Sequence, residues 1–530
     1  MSTDALKARR ALAWANKDHW NRIIQEAYDY AIPNRQPVGR VADGAQRAVK
    51  LHDATAANLV FASAAQLRDD IAPPGQPLAR LRMSRLVRNR IMAATDGQRK
   101  ADAVATMLQD GNDVVNAMFL GGNFSSALLE VCIDSHVSTG AILMLEGTPR
   151  MPALFASIPI EQIATEVDMF GRETLICWKQ MLSRKAIHEA FPRARFSTEW
   201  LDALRDKPQD RVEIEQCFVR RASGLAWDMF VYLTGPGGQE GAVWQKVFKT
   251  CPVILMPFQR VPGEAYGRGP ILTLLPTIKV LNSAQELQLK SFAIQMLGIW
   301  MYRKNGSFNP DTAALAPGAM WKVDNTGGMF GPDIARLDPA TGRTDLGGQL
   351  TTELRQQIAT GLQRQQLPAG GTTPGSATEY MVREKEQLRS YRGAYGRMVE
   401  EFVPKLFWRG VEIAFNLGLI PRKIEFDQML MQLDVLSPLA AAMRVQQFEP
   451  AFNYLGMLQQ TGGDPDEYID RDALYEAVAY ETGVLTEFTK NVDERVAYRQ
   501  QKLAAAAAAV QAQAAAAAPP PQPPAPGTAT

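Results

Sequence analysis

Cysteine is scarce and scattered. The chain holds four, Cys132, Cys177, Cys217 and Cys251, and no two of them form a CxxC pair. That spacing speaks against a zinc ribbon or a disulfide framework, and it predicts buried, reduced thiols in a protein made in a cytosol. The histidines are His19, His52, His136 and His188. None has a partner at zinc-ligand spacing, neither HExxH nor GxSxG occurs, and each reads as a surface or satisfied core residue. Long apolar runs are missing too. No stretch reaches the ~18 residues of a membrane span, and the nearest, Leu503–Ala518, is interrupted by Gln511 and Gln513. Met1–Arg10 carries Arg9 and Arg10 with no apolar core behind them, so no signal peptide is expected. Net charge is almost absent, with 57 basic and 56 acidic side chains among 530 residues. This excludes a strongly basic protein that coats nucleic acid and leaves room for local charged surfaces.

What is present is a globular composition, 46% hydrophobic and 21% charged, long enough for three or four folded units at roughly 100–200 residues each. Apolar residues at helical spacing predict helices over Asp4–Ala31, Asp53–Ile71, Arg99–Met118 and Ser125–Ser138, with Pro33 and Pro73-Pro74-Gly75 as stops. From Ala141 to Phe258 the period changes. Ala141–Leu145, Thr174–Trp178, Val212–Val219, Met229–Leu233, Val243–Phe248 and Val253–Met256 read as strands, with one helix over Ser183–Phe191. Together they predict an α+β unit with a largely antiparallel sheet.

After Tyr266-Gly267-Arg268-Gly269-Pro270 comes a helix over Leu272–Leu297, apolar on more than one side and so wanting neighbours on more than one side. Ile299–Gly348 is broken by glycine and proline and reads as a small irregular or β-rich module. Helix resumes over Gln349–Gln366, and the loop Leu367–Ser376 follows. A further helix over Glu379–Leu417 would span roughly 58 Å, kinked at Pro404. From Pro421 onward the chain again reads as helical. It ends in the Ala-rich Leu503–Ala518 and a Pro-rich tail expected to be disordered. The fold class expected is α+β, mainly α-helical.

Chemical motifs are weak. Gly370 and Gly375 have phosphate-loop spacing, but Ser376 and Ala377 stand where Lys and Ser/Thr are required. The segment fits a mobile linker between helices or a functional loop of another kind. Gly267-Arg268-Gly269 lacks the third glycine of a dinucleotide site and reads as a tight turn. Asp69-Asp70 would point about 100° apart on a helix and fit a solvated helix end. Trp300 and Trp321 are able to stack on bases but fit a core or subunit contact better. The residues give no positive sign of an enzyme, a cofactor or a metal.

The order of elements resembles the portal, or head-to-tail connector, protein of short-tailed (podovirus-type) bacteriophages. So do Tyr28-Asp29-Tyr30-Ala31-Ile32-Pro33-Asn34-Arg35, Asp53-Ala54-Thr55-Ala56-Ala57, Ser138-Thr139-Gly140, Arg260 through Tyr266-Gly267-Arg268-Gly269-Pro270 to Ile278-Lys279-Val280-Leu281-Asn282, and Ser376-Ala377-Thr378-Glu379. The resemblance runs to about residue 420. It implies a ring of about twelve copies around a central channel. It divides the subunit into a wing (1–265), a stem helix (266–298), a clip (299–348), a returning stem helix (349–366), a tunnel loop (367–376), a long wing helix (377–420), a helical crown or barrel (421–518) and a tail (519–530).

It further implies a place at one capsid vertex of the virion, with assembly in the host cytoplasm and no membrane. Double-stranded DNA would be driven in by a separate terminase and later ejected. The tunnel-loop residues Leu367, Pro368, Gly370, Gly371, Thr372, Thr373, Pro374 and Gly375 would face the DNA. The clip residues Trp300, Tyr302, Arg303, Lys304 and Trp321 would dock the terminase large subunit and then the tail adaptor. Major capsid and scaffolding proteins would be further partners. On the residues alone, two other readings stay open: a scaffolding or internal structural protein without a DNA channel, and an enzyme whose motif is not visible.

Overall fold

The computed structural model describes residues 3–35, 49–84, 97–235, 238–297, 299–302, 334–337, 344–362, 400–420 and 431–436. It also describes isolated positions within 87–93, 396–398, 453–460 and 498–502. The chain divides into two compact units, Met1–Ser437 and Pro438–Thr530. The described positions of the second unit are helical. All that follows concerns the first.

Among the described residues, the N-terminal third holds helices α1 (Thr3–Ala31), α2 (Thr55–Ile71), α3 (Gly97–Leu120) and α4 (Phe124–Val137), with strand β1 (Ala79–Met83) before α3. The β region holds β2 (Thr139–Thr148), β3 (Met151–Ser157), β4 (Ile163–Val167), β5 (Glu173–Ser183), β6 (Arg211–Arg220), β7 (Trp227–Thr234), β8 (Gln239–Phe248) and β9 (Val253–Pro257). Two short helices, α5 (Arg184–Ala190) and α6 (Thr198–Asp206), lie between β5 and β6. The predicted antiparallel character holds, but there are two sheets rather than one: β3-β2-β9 and the meander β4-β5-β6-β7-β8. Their inward side chains form one core that includes Leu143, Ile163, Ile176, Ile214, Phe218, Val231 and Leu255.

Helix α6 is missing from the sequence reading, since Trp200 is the one residue that it buries. Its signal is the Ser197 cap, whose Oγ accepts from Trp200 N at 3.3 Å, placed ahead of buried Trp200.

Helix α7 (Pro270–Leu297) leads into strand β10 (Ile299–Tyr302), which pairs antiparallel with β11 (Ile334–Leu337). Helix α8 (Thr344–Gly361) then returns along α7. It starts earlier than the predicted Gln349 and runs through Gly347 and Gly348, poor helix formers of which Gly347 packs against Gln288 of α7. Of the long helix predicted from Glu379, residues 400–416 are described as continuous helix (α9).

The helical reading from Pro421 onward fails at β12 (Met431–Val435), which pairs antiparallel with β1. Charge explains this pairing. Arg80 and Arg82 of β1 both turn to buried Asp434, with Arg82 Nε 2.8 Å from Oδ2. On α3, Asn112 and Asn116 serve the backbone of the β1 segment. Asn112 Oδ1 accepts from Leu81 N at 2.8 Å, and Asn116 Oδ1 accepts from Leu78 N at 2.9 Å. Their amides donate to the carbonyls of Leu81 and Ala79.

Buried His136 on α4 is a satisfied core residue, as its sequence context suggests. Its Nδ1 lies 2.7 Å from the Cys132 carbonyl, which only accepts, so the proton sits on Nδ1; Nε2 lies 2.9 Å from Ser63 Oγ, which also reaches the Leu362 carbonyl at 3.1 Å. Burial pulls its pKa down to about 4. The unfolded chain takes up this proton from about pH 6.5 downward, so the stability that neutral His136 contributes is whole above that pH and is lost as pH falls toward 4. Urea unfolding of His136→Asn against wild type should therefore shift in the variant's favour by roughly 3 kcal/mol between pH 7 and 4. A stability difference that does not change with pH would show that this histidine does not titrate with unfolding.

Candidate functional site

The segment that starts α7 is locked to the β region by a double clasp. Ser138 Oγ donates to the Gly267 carbonyl at 2.8 Å, and Gly267 N donates to Thr139 Oγ1 at 2.9 Å. Gly269 N donates to the Val137 carbonyl at 2.9 Å and Arg268 N to the Gln259 carbonyl at 2.8 Å. Side chains are excluded here. A Cβ on Gly269 would lie 2.0 Å from the His136 carbonyl oxygen, and one on Gly140 would lie 2.2 Å from that of Val131. The glycines that resemble a nucleotide motif therefore serve close backbone approach. Tyr266 is buried beside them. Its hydroxyl accepts from Thr165 N at 3.1 Å, and the ring lies 4.2 Å beneath the Lys17 ammonium of α1. Burial draws that ammonium down to about 7, against the pull of Glu161 and Asp134.

Charged residues brace the same region. Arg260 Nη2 donates to Glu173 Oε1 at 2.8 Å, and Lys405 of α9 donates to Oε2 at 2.9 Å. Burial alone would raise the Glu173 carboxyl, but the Lys405 and Arg260 cations hold it below its ordinary range. Arg35 reaches fully buried Asp134 of α4, its Nε 2.9 Å from Oδ1, and Tyr28 Oη lies 3.3 Å from the same oxygen. Asp53 Oδ1 accepts from Thr55 N at 2.8 Å at the start of α2, while Oδ2 accepts from Arg355 of α8 at 2.7 Å.

Helix α7 projects from this clasp. Ile271, Leu275, Ile278 and Leu281 are buried, and the helix packs on α1, α4 and α8. Lys279 pairs with Glu26 of α1, and Asn282 Oδ1 accepts from His52 N at 2.7 Å. Helix α8 runs antiparallel and close. A Cβ on Gly361 would lie 2.6 Å from Leu274 Cδ2, and one on Gly347 would lie 2.7 Å from Gln288 Nε2. Val280 and Leu287, 53% and 65% exposed, lie about 20° apart on the face opposite the buried stripe at 100° per residue. Leu289 and Phe292 continue the stripe's own side, also exposed.

Of the clip residues, Trp300 and Tyr302 fall on β10, opposite Arg336 and Ile334 of β11. Arg303, Lys304 and Trp321 lie outside the described residues, as do the tunnel-loop residues Leu367, Pro368, Gly370, Gly371, Thr372, Thr373, Pro374 and Gly375. Among the described residues, the depressions of α1 (lined by Arg22, Glu26 and Tyr30) and of α8 (lined by Gly348, Thr352 and Glu353) are open and shallow.

The family model for the bacteriophage head to tail connecting protein matches residues 3–489. The chain belongs to this family. A connector of this kind is a structural component of the virion. Similar solved structures include a chain of the virion of a native gene transfer agent (GTA) particle, with a TM-score of 0.33 at 13% identity, covering 81% of this chain and 94% of that one. Another is in the neck of the empty GTA particle computed with C6 symmetry, with a TM-score of 0.34 at 12% identity, covering 78% and 91%. No curated protein sequence matches the chain. The assignment rests on the family match.

The clasp gives a sharp contrast between glycines of this connector. Gly269→Ala should lower stability by about 3 kcal/mol or more, since backbone must move to admit the methyl group. Gly348→Ala, with open space around it and a helical conformation, should raise stability by about 0.5–1 kcal/mol. Thermal unfolding of the two variants measures both, and equal effects would refute the close-approach account.

Proposed function

We propose that this connector is the portal subunit of a short-tailed phage. It forms a closed ring, expected to hold twelve copies, at one capsid vertex, and double-stranded DNA is packaged through its centre by a separate terminase and later ejected. The observation that supports the ring is helix α7, whose Val280 and Leu287 stand exposed opposite an already buried stripe. An apolar helix face left in water is unfavourable by roughly 25 cal/mol per Å², and neighbouring copies of α7 would cover it.

In this reading the wing extends to about residue 265, α7 and α8 are the stem, and the excursion through β10 and β11 is the clip. There Trp300, Tyr302, Arg303, Lys304 and Trp321 would meet first the terminase large subunit and then the tail adaptor. The loop 367–376 borders the channel, with Leu367, Pro368, Gly370, Gly371, Thr372, Thr373, Pro374 and Gly375 toward the DNA. Scaffolding and major capsid proteins are the remaining partners. The near-neutral charge balance suits a conduit that DNA slides through, because each neutralised phosphate would add grip.

The double variant Val280→Asp, Leu287→Asp should keep its secondary structure by circular dichroism but run as monomers on sizing chromatography, whereas wild type should give rings with a central hole by negative-stain microscopy. Wild-type monomers, or intact rings from the double variant, would contradict the stem assignment.

Deleting Gly370–Gly375 should leave rings intact and reduce DNA packaged per particle. Loss of the ring in that deletion would make the segment structural instead.

A further inference from the structure

Helix α1 lies across the five-stranded sheet, and beneath it sits a pair of thiols. Cys177 of β5 and Cys217 of β6 are direct partners in the antiparallel register. Both are buried, and their Sγ atoms lie 3.0 Å apart, inside the contact distance of two non-bonded sulfurs. Directly opposed residues of an antiparallel pair have Cα atoms about 4.5–5.5 Å apart, within the span a disulfide bridges.

Glu215, two residues before Cys217 on the same face, completes a set whose ligand atoms lie within 4.8 Å of one another. Its carboxylate is already engaged. Oε2 pairs with Arg10, and Oε1 accepts from Trp14 Nε1 at 2.7 Å. Arg10 also lies over the Tyr232 ring. A metal ion would have to displace a guanidinium and an indole to gain a third ligand, so the pair fits sulfur–sulfur chemistry better than coordination.

We propose that Cys177 and Cys217 are a latent cross-strand disulfide, held as dithiols by the α1 cover and closed by a low-molecular-weight disulfide such as oxidised glutathione. The thiolate of one cysteine attacks the small disulfide, releasing one small thiol and leaving a mixed disulfide. The second cysteine then attacks the protein sulfur of that intermediate, forming the Cys177–Cys217 bond and releasing the second small thiol. Two protein S–H bonds become one S–S bond, the small disulfide is reduced, and the two protons leave on its thiols. Burial pushes the Cys217 thiol well up from its ordinary value, so closure is slow while α1 covers the pair. The bond would fasten β5 to β6 at the centre of the sheet. The inference does not depend on the portal reading.

The test uses the wild-type full chain, so no variant has to fold. The purified protein is equilibrated with oxidised and reduced glutathione, alkylated under denaturing conditions, and mapped by mass spectrometry without reduction. The expected result is loss of two of the four alkylatable thiols, with one linked peptide joining Cys177 to Cys217 while Cys132 and Cys251 remain alkylated. Four alkylated thiols after prolonged oxidation, stable glutathione adducts, or linkage to Cys132 or Cys251 would each overturn the proposal. So would a stoichiometric zinc ion released from the purified protein by a mercurial together with protection of both thiols, which would make the cluster a metal site.

Discussion

The first described unit depends on one close backbone approach. Ser138-Thr139-Gly140 leaves α4 and enters β2 at the point where Tyr266-Gly267-Arg268-Gly269-Pro270 leaves the β region and enters α7. The two segments bond through Ser138 Oγ, Thr139 Oγ1 and the backbone at 267 and 269. Neither segment tolerates a Cβ at its glycines. The clasp fixes the exit direction of α7, and that direction decides which of its faces meets α1, α4 and α8. Sequence, backbone packing and the exposed face of the helix are thus links of one chain of cause.

Around the clasp the structure places charges where burial would otherwise be costly. Asp134 has Arg35 and Tyr28, Glu173 has Arg260 and Lys405, and Glu412 of α9 accepts from Lys249 N and Thr250 N while pairing with Arg409. Removing one partner from such a set leaves an uncompensated buried charge, which costs more than the pair contributes. These residues therefore specify which segments meet. Each joins elements far apart in the chain, so they act as registration pins for helices whose apolar contacts alone would permit sliding.

The legible parts of the sequence were those with a long, local period. Helices α1, α2, α4 and α7 begin and end within a few residues of their predicted bounds, because apolar spacing and proline stops are local signals. The strands most strongly β-branched were legible for the same reason. Strand β12 was not, since its cause lies in Arg80 and Arg82 of β1, some 350 residues away in sequence, and no local window holds both halves. The start of α8 was hidden by Gly347 and Gly348, of which Gly347 packs against Gln288 while Gly348 lies in open space. At the clasp, the glycines and their flanking residues were conspicuous, but their purpose was not: spacing alone does not tell a glycine that admits a phosphate from one that admits a carbonyl. The tunnel-loop and most clip residues came from family resemblance, which the local chemistry of those residues does not by itself supply.

The placement of apolar residues on α7 constrains what kind of assembly the connector can make. A two-fold dimer covers one patch by meeting its own copy. Val280 and Leu287 occupy one side of α7, whereas Leu289 and Phe292 occupy the other, so a single isologous contact leaves one of them in water. Covering both takes either two different isologous contacts or one heterologous contact that joins the two sides, and a heterologous contact repeats until it closes into a ring or runs on as a filament. Within the subunit, close packing of α8 on α7 at Gly347 and Gly361 fixes the angle between the two helices, and with it the faces that they leave exposed.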